Sequence, residues 1–349
     1  MHASSTATME LEDVKVMEKE KTMHARRHAT RDLEDIKTPR EDRPMMMRRR
    51  TFVAMAAAAG TALVTPARGF AQADASAATP TTETIPQTGY APVNGLQMYY
   101  EIHGRGEPLV LLHGAFGAID LWGPILTTLA ENHQVIAVEQ QGHGHTADID
   151  RPFSYEQMAD DVAALMDHLA IAQADIVGYS MGADTALQVA IRHPERVRKL
   201  VPISGKYRYD GEYPELLAVI QQLTPDFFAG TPWEDAYLRH APNPEDFPLL
   251  VEKIKAFFGK EYAWPEEDIR SIAAPTLLII GDSDAVRPEH EMQLFRLLGG
   301  GVDGDIVGLP SSQLAILPGI THGTIVFEGA DQVVAMIEAF LAAPMPDAA

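Results

Sequence analysis

The sequence of 349 residues contains no cysteine. This excludes disulfide bonds, thiolate metal sites and cysteine nucleophiles, even in an oxidising compartment. Basic side chains are also few, since 28 lysines and arginines stand against 49 aspartates and glutamates, for a formal net charge of −21. An acidic surface of this kind repels phosphate backbones and anionic lipid headgroups. We therefore expect neither nucleic acid nor a membrane to be a partner of the mature protein.

The N-terminal region lacks an apolar run that could span a bilayer, which needs about 20 residues. Its apolar run covers 13 residues, from Phe52 to Val64, and follows three arginines at 48–50. The run is succeeded by the small-residue end Ala71-Gln72-Ala73. A basic, an apolar and a small-residue part in this order are typical of an export signal peptide, which we assign to residues 45–73. The alternative is a disordered basic tail.

The arginine pair in this segment suggests an export route. Arg49-Arg50-Thr51-Phe52-Val53 resembles the twin-arginine motif of bacterial proteins that are exported already folded. We therefore expect a periplasmic or secreted protein. Residues 1–44 are charged and without pattern, and we expect a disordered or non-native extension, since a start at Met45 would give a normal signal. Residues 74–90, rich in Ala, Thr and Pro, are predicted to be a linker.

After the linker, short apolar runs alternate with helical patterns. Continuous apolar runs are typical of strands that are covered on both faces, as in parallel sheets. The predicted strands are 108–114, 134–140, 174–180, 198–205, 275–282 and 312–319, and the clearest predicted helices are 154–171 and 181–193. The alternation predicts an α/β domain over residues 91–349 with a mostly parallel, doubly wound sheet.

One stretch, residues 206–272, interrupts this alternation between the fourth and fifth predicted strands. It holds seven prolines and 12 of the 25 aromatic residues. We predict a helical lid over the carboxyl edge of the sheet, where open α/β sheets hold their sites. Such a lid favours a small or medium apolar or aromatic substrate group. The alternative is that these aromatic residues form the lid's own core.

The sequence DIVGYSMGADTA at 175–186 places Ser180 between Gly178 and Gly182. A glycine in or beside a helix or strand costs about 0.5–1 kcal/mol relative to alanine, so two of them need a reason. Between a buried strand and a helix, Gly-x-Ser-x-Gly is typical of a nucleophile elbow, a strained turn that exposes the serine hydroxyl. We predict that Ser180 is a nucleophile; the alternative is a structural corner.

A serine nucleophile needs a base, and the base needs an acid that fixes its tautomer. His322 follows the last predicted strand and is the candidate base. Asp282 and Asp284 both follow the fifth strand. We predict Asp284 as the acid, because Asp282 lies too close to the strand end to clear the sheet edge. Asp282 is expected to stabilise its own turn.

Two backbone N–H groups can complete the reaction centre. The segment His113-Gly114-Ala115-Phe116-Gly117 must turn sharply past the serine after the first predicted strand. The N–H groups of Ala115 and Met181 are therefore predicted to form an oxyanion hole. We expect His113 to be a structural hydrogen-bonding residue and not a base.

With these residues in place, the chain resembles α/β-hydrolase-fold enzymes of the esterase, enol-lactonase and cofactor-free haloperoxidase type. The resemblance covers about residues 92–342 and rests on LLHGAFG, the Gly142-His143-Gly144 loop, GYSMG, GDSDAVRP and PGITHG, all in family order. The family's motif also places its acid at Asp284. One loop differs: the family's D-x-R-G-x-G-x-S is here Glu139-Gln-Gln141-Gly-His-Gly-His-Thr146. The missing arginine affects a structural ion pair and not the triad.

The resemblance implies a serine hydrolase acting on a small-molecule carboxylic ester or lactone, with no cofactor and no metal. The His-Gly-His sequence at 143–145 lacks a third ligand at the usual spacing. Substrate-binding residues are predicted at Phe116, Tyr179, His143 and Trp233. Alternatives are perhydrolysis, amide or carbon–carbon bond cleavage by the same triad, and a non-catalytic receptor that binds a ligand on this scaffold.

Overall fold

The computed structural model describes residues 85–345, which form one eight-stranded sheet with helices on both faces. The strands are β1 Gln87–Val93, β2 Leu96–Gly104, β3 Glu107–Leu112, β4 His133–Val138, β5 Ala174–Tyr179, β6 Val197–Ile203, β7 Leu277–Ser283 and β8 Gln313–Thr321. The α-helices are α1 Gly123–Leu129, α2 Tyr155–His168, α3 Met181–Arg192, α4 Pro214–Ile220, α5 Pro232–His240, α6 Phe247–Phe258, α7 Glu266–Arg270, α8 Pro288–Leu297, α9 Gly304–Val307 and α10 Ala330–Ala342. Short 3-10 helices are found at Ile119–Trp122, Pro194–Arg196, Tyr209–Gly211, Pro225–Phe227 and Pro244–Asp246.

The strands lie side by side in the order β1-β2-β4-β3-β5-β6-β7-β8. β2 is antiparallel to both of its neighbours, and all other adjacent pairs are parallel. All six predicted strands are present as β3 to β8. The predicted α/β class, with its mostly parallel and doubly wound sheet, is confirmed.

The hairpin β1–β2 was not predicted, and β1 includes Gln87–Tyr90, which the sequence analysis placed in the linker. These strands carry polar residues, glycine and proline, so neither shows the continuous apolar run of a central strand. The turn between them, Asn94-Gly95, has positive φ at both residues (48° and 89°). Asn-Gly is the preferred pair for such a two-residue hairpin turn, and it was the available signal.

Each face of the sheet has its own apolar core. One core includes Val110, Ile176, Leu200 and Leu278 and is covered by α2, α3 and α8. The other core includes Leu111, Val177 and Ile279, and α1 and α10 pack over it. Both faces are therefore buried, which explains why the central strands are mostly apolar; the charged residues of β5 and β6, Asp175, Arg198 and Lys199, lie near the beginnings of these strands.

The helix α2 begins where the sequence predicts. The Ser154 hydroxyl accepts a hydrogen bond from the Gln157 backbone N–H at 3.1 Å, which satisfies one of the free donors at the helix start. The predicted apolar stripe is buried, with Met158 and Val162 turned towards the sheet core.

The lid segment, residues 206–272, contains helices α4 to α7, and the only strand-like pairing among its described residues is in isolated bridges. Most of its large aromatic side chains pack on one another. Phe247 lies 5.2 Å from Tyr237 and 5.7 Å from Phe228, measured between ring centroids. The alternative that these residues form the lid's own core therefore holds for most of them.

Candidate active site

Ser180 lies in a sharp turn between β5 and α3. Its φ of 54° is in the left-handed region, which costs about 1–2 kcal/mol for a residue with a side chain. The Ser180 backbone N–H donates to the Ile203 carbonyl oxygen of β6 at 2.9 Å, which holds the strained turn against the sheet. The side chain is half-buried.

The two glycines beside Ser180 are required by the closeness of the backbone. A Cβ atom on Gly178 would lie 2.1 Å from the carbonyl oxygen of Gly182. A Cβ atom on Gly182 would lie 2.0 Å from the carbonyl oxygen of Leu112 on the neighbouring strand β3. Real carbon and oxygen atoms do not approach this closely. Only glycine allows α3 to begin directly against β3 and β5 with Ser180 at its N-terminus.

The His322 imidazole connects Ser180 to an acid. Its Nε2 lies 2.9 Å from Ser180 Oγ, and its Nδ1 lies 2.7 Å from Asp284 Oδ1. A carboxylate can only accept, so Nδ1–H donates to Asp284 and Nε2 is left to accept the serine proton. The structure therefore brings together the three side chains that the sequence analysis predicts as nucleophile, base and acid.

Asp284 is held by several donors in addition to His322. Its side chain is fully buried, and Oδ2 accepts a hydrogen bond from the Ser204 hydroxyl at 2.6 Å. Oδ1 also accepts from the Val286 backbone N–H at 3.1 Å. Burial alone would raise the pKa of Asp284, but the positive charge and hydrogen bond of His322, with these donors, lower it below its usual value. The acid is thus kept ionised.

The pKa of His322 moves in the opposite direction. Burial would lower it, because a buried ring resists protonation, but the Asp284 carboxylate raises it above its usual value of about 6.5. A base with a raised pKa takes up the serine proton more readily. The Tyr179 hydroxyl donates to the His322 carbonyl oxygen at 2.7 Å and so holds the loop that carries the ring.

Asp282, the other candidate acid, forms no hydrogen bond with His322. It is exposed, and its Oδ1 accepts a hydrogen bond from the Gly319 backbone N–H at 2.9 Å. This partner lies on β8, so Asp282 links β7 to the neighbouring strand. Asp282 reaches β8 because β7 continues to Ser283, so that Asp282 still lies within the sheet edge. Its Oδ1 also accepts a hydrogen bond from the hydroxyl of the adjacent Ser283 at 3.1 Å, which is a local contact of the expected kind.

The segment that follows β3 passes close to Ser180. A Cβ atom on Gly114 would lie 3.2 Å from Ser180 Cβ, which shows how closely the two backbones approach. Met181 is the first residue of α3, where a helix has N–H groups without intrahelical partners. Neither its N–H nor that of Ala115 donates to another group within residues 85–345. Both predicted oxyanion donors are therefore available beside the serine.

His113 supports this segment. Its Nδ1–H donates to the Gly114 carbonyl oxygen at 2.7 Å, and its Nε2 accepts from the Gln140 backbone N–H at 3.1 Å. Burial lowers the pKa of His113 to about 3, so the ring is neutral. The Gln140 side-chain amide also donates to the His113 carbonyl oxygen at 2.9 Å. These neutral hydrogen bonds join the loop after β3 to the loop after β4. The next residue, Gln141, stands where the family's pattern has an arginine, and its side-chain amide donates to Asp148 Oδ1 at 2.8 Å.

Of the four predicted substrate-binding residues, two line a common cavity. Phe116 and Trp233 border a cavity of about 280 Å³, together with Leu121 and Phe327. Ser180 and His322 do not form part of its wall, but Phe116 follows the oxyanion segment and Thr324, two residues after His322, also borders the cavity. The cavity is therefore bordered by the two loops that carry the predicted oxyanion donor Ala115 and the base His322.

Tyr179 and His143 do not line this cavity, so a role of either residue in substrate binding stays a prediction. The Tyr179 ring is buried against His322, with 5.4 Å between ring centroids, because β5 directs it beneath the elbow. His143 is buried between His113 and Phe153, and its Nδ1 donates to the Gln141 carbonyl oxygen at 2.9 Å. Burial lowers the pKa of His143 to about 4. Both residues support the loops around the site.

Comparisons with known proteins agree with this architecture. The sequence model of the α/β-hydrolase fold family matches residues 107–253. A putative carbamate hydrolase RutD from Caulobacter sp. (strain K31) is 32% identical over 259 residues, which are 66% of this chain and 90% of that protein. The chain belongs to the α/β-hydrolase fold family.

Other proteins similar to this chain are named for different activities. A 2-hydroxymuconate semialdehyde hydrolase from Pseudomonas sp. (strain CF600) is 30% identical over 216 residues, 56% of this chain and 76% of that protein. The crystal structure of the enol-lactonase from Burkholderia xenovorans LB400 has a TM-score of 0.56 at 23% identity, covering 73% of this chain and 100% of that one. The similarity to the enol-lactonase shows a shared fold only.

Three residues of this α/β hydrolase were missed by sequence reasoning. The first is Ser204, the residue after β6, whose hydroxyl donates a hydrogen bond to Asp284. Lys206 is buried, and its Nζ donates to Asp184 at 3.2 Å and to Glu212 at 3.0 Å. Burial would lower the pKa of Lys206, but these two carboxylates raise it well above its usual value. The sequence signal for Ser204 and Lys206 was that both are polar residues close after the end of a buried strand. This ion pair network anchors the start of the lid segment to α3.

The third residue is Glu291 on α8, which is fully buried. Neither of its carboxyl oxygens has a hydrogen-bond partner among the described residues. Burial, followed by the nearby charges of Asp284 and Asp184, raises its pKa well above the usual value. The periodicity of α8 offered no signal, because an acid at a core position of a helix breaks the apolar pattern.

Two further observations concern the described residues as a whole. Over residues 85–345, no group of three or more His, Asp or Glu side chains is arranged to hold a metal ion. Over the same residues, no helix combines the length and apolar character needed to cross a bilayer. The predicted signal peptide at 45–73 and the extension at 1–44 lie outside the described residues.

Proposed function

We propose that this α/β hydrolase is a serine hydrolase that cleaves a carboxylic ester or lactone through an acyl-enzyme intermediate. The observation that carries the proposal is the continuous set of hydrogen bonds from Ser180 through His322 to Asp284, at the end of a strained strand–helix turn. A serine hydroxyl is a weak nucleophile unless a base removes its proton as it attacks. This arrangement supplies that base and orients it.

In the first half of the proposed reaction, Ser180 Oγ attacks the substrate carbonyl carbon while His322 Nε2 takes the hydroxyl proton. The carbonyl oxygen becomes negatively charged and is stabilised by the N–H groups of Ala115 and Met181, a contribution of about 3–4 kcal/mol for a single donor where one has been removed. Asp284 stabilises the imidazolium that forms. The imidazolium then gives its proton to the departing alcohol.

In the second half, water replaces the alcohol. His322 takes a proton from this water, whose oxygen attacks the acyl carbon bound to Ser180. The same two N–H groups hold the second oxyanion. Collapse of the intermediate returns the proton to Ser180 and releases the carboxylic acid. For a lactone the alcohol and the acid belong to one molecule, so the product is a hydroxy acid.

The substrate is proposed to be a small molecule with an apolar or aromatic group. The cavity bordered by the loops of Ala115 and His322 has about 280 Å³, which is at the lower end of the usual range for ligand pockets. Its wall includes Phe116, Leu121, Trp233 and Phe327, which suit a flat apolar group. Relatives named for carbamate and semialdehyde hydrolysis show why the bond type needs a direct test.

A substrate panel tests this proposal. We expect rapid turnover of p-nitrophenyl acetate and butyrate, falling by about tenfold or more for the octanoate, because a cavity of this size excludes a long chain. Phenyl carbamates and simple lactones are measured beside them. A fluorophosphonate should abolish turnover of every substrate that uses Ser180. Absence of turnover for all esters and lactones would contradict the proposal and favour a ligand-binding role.

We also propose that the protein is exported by the twin-arginine route, on the pattern of residues 45–73. Changing Arg49 and Arg50 to lysine should leave the protein inside the cell with its leader uncleaved. The matched control changes Arg48 and Arg68 to lysine and should be exported normally. Fractionation and N-terminal sequencing, with a mature end at or near Asp74, provide the measurement. Equal export of both double variants would contradict this route.

A further inference from the structure

The cavity of about 280 Å³ has three walls. The segment after the oxyanion loop contributes Phe116, the lid helix α5 contributes Trp233, and the segment after His322 contributes Thr324 and Phe327. The aromatic residues Phe116, Trp233 and Phe327 therefore border the same cavity. The faces of aromatic rings carry partial negative charge and attract cations as well as apolar groups.

Four charged residues stand at the mouth of this cavity, and three of them are acidic. Asp120 is paired, since its Oδ2 lies 3.4 Å from Arg239 Nη1 and 2.8 Å from His240 Nε2. Asp235 and Glu328 also border the cavity and are exposed. Within residues 85–345 neither of them forms an ion pair. The mouth therefore carries two uncompensated negative charges next to an aromatic wall.

The cations near the site are already engaged by carboxylates. Arg239 pairs with Asp120, as described. Lys206, which is buried at the base of the lid segment, is held between Asp184 and Glu212. A substrate carboxylate entering this cavity would meet Asp235 and Glu328, while Arg239, the one cation among the described residues that border it, is paired with Asp120. The net charge of −21 adds a long-range field of the same sign.

We infer that this cavity binds the alcohol part of the ester and selects it by charge, accepting a neutral aromatic group or one that carries an ammonium and rejecting one that carries a carboxylate. This inference rests on the proposed function. His322 gives its proton to the leaving alcohol, so the alcohol departs on the imidazole side of Ser180. The segment that carries this imidazole leads into the cavity wall, since Thr324 lies two residues after His322 and borders the cavity.

Three acetate esters of matched shape test this selection. They are 3-(trimethylammonio)phenyl, 3-tert-butylphenyl and 3-carboxyphenyl acetate, whose alcohol parts are cationic, neutral and anionic. Each rate is divided by the rate of hydroxide-catalysed hydrolysis to remove differences in intrinsic reactivity. Because all three give the same acetyl-enzyme, deacylation is common to them. Differences in kcat/KM therefore report binding and acylation of the alcohol part alone.

We expect the corrected kcat/KM of the cationic ester to exceed that of the anionic ester by about tenfold or more at low salt, with the neutral ester between them. The double variant Asp235→Asn/Glu328→Gln should reduce this ratio at least threefold, and the neutral ester measured with the same variant serves as its reference. Raising the ionic strength should reduce the ratio in the wild type, because salt screens charges at an exposed mouth.

A matched control separates local from general charge effects. Glu267 is exposed on α7 and does not border the cavity, so Glu267→Gln combined with Glu252→Gln removes the same charge elsewhere. This control should keep the wild-type ratio. Equal corrected kcat/KM for the three esters, or a ratio that the double variant leaves unchanged, would overturn the inference. If the neutral ester itself is not turned over, the failure lies in the proposed function instead.

Discussion

Replacing Ser180 with alanine is expected to reduce ester turnover by about 10⁴- to 10⁶-fold, because the reaction loses the atom that forms the acyl bond. The residual rate acceleration over the uncatalysed reaction comes from the oxyanion donors and from substrate binding. Ser180 Oγ has His322 as its hydrogen-bond partner, and its removal leaves no buried charge unpaired. Circular dichroism and the melting temperature should therefore stay close to those of the wild type, and steady-state kinetics supply the measurement.

Nucleophile and base act as a unit, so their effects should not add. We expect His322→Ala to cost about as much as Ser180→Ala, and the double variant to cost little more than either. A fluorophosphonate should label Ser180 in the wild type and no residue in the alanine variant. Ser271→Ala, which changes an exposed serine outside the triad, is the matched control. Near-normal turnover by Ser180→Ala would end the serine-hydrolase proposal.

The sequence was sufficient to predict the residues of the elbow because its geometry depends on local backbone. Gly178 and Gly182 must be glycine to avoid carbonyl oxygens at 2.1 and 2.0 Å, and this requirement is visible as a motif. The buried strands were equally predictable, since burial on both faces favours a continuous run of apolar residues. The order of Ser180, Asp284 and His322 along the chain then limits which loops can meet at the sheet edge.

Features that depend on distant contacts were not predictable in this way. The Tyr179 hydroxyl bonds the loop of His322, which lies 143 residues away along the chain. His143 is buried because its loop folds inward over His113, and no periodicity reports such a loop. Lys206 and Glu291 are charged residues in buried positions, where composition predicts an exposed one. Their positions follow from the packing of the lid segment and α8.

Replacing Asp284 with asparagine is expected to lower kcat by about 10²- to 10⁴-fold while KM changes little. An amide can donate to His322 Nδ1, which then favours the tautomer with its proton on Nε2. That tautomer cannot accept the proton of Ser180. The volume of the side chain is unchanged, and an amide oxygen at the Oδ2 position can still accept from the Ser204 hydroxyl, whereas the NH2 group at the Oδ1 position faces the Val286 N–H and loses that hydrogen bond. We therefore expect the main loss in kcat, together with a loss of stability of about 1–3 kcal/mol.

Asp282→Asn is the matched control, since it makes the same chemical change two residues away. Asp282 is exposed and bonds the Gly319 N–H, a partner that an asparagine oxygen can also serve. We expect kcat within about threefold of the wild type and a loss of stability of at most about 1 kcal/mol. If the two variants exchange these behaviours, the acid is Asp282 and the arrangement around His322 has a different function.

The pH profile distinguishes loss of the acid from simple misplacement of the ring. In the wild type the Asp284 carboxylate raises the pKa of His322 above about 6.5, so kcat/KM should fall as the pH drops through that raised value and the base becomes protonated. In Asp284→Asn the carboxylate is gone while burial still lowers the pKa. The acidic limb of the residual activity should therefore move to lower pH. An unchanged limb would show that Asp284 does not set the charge of His322.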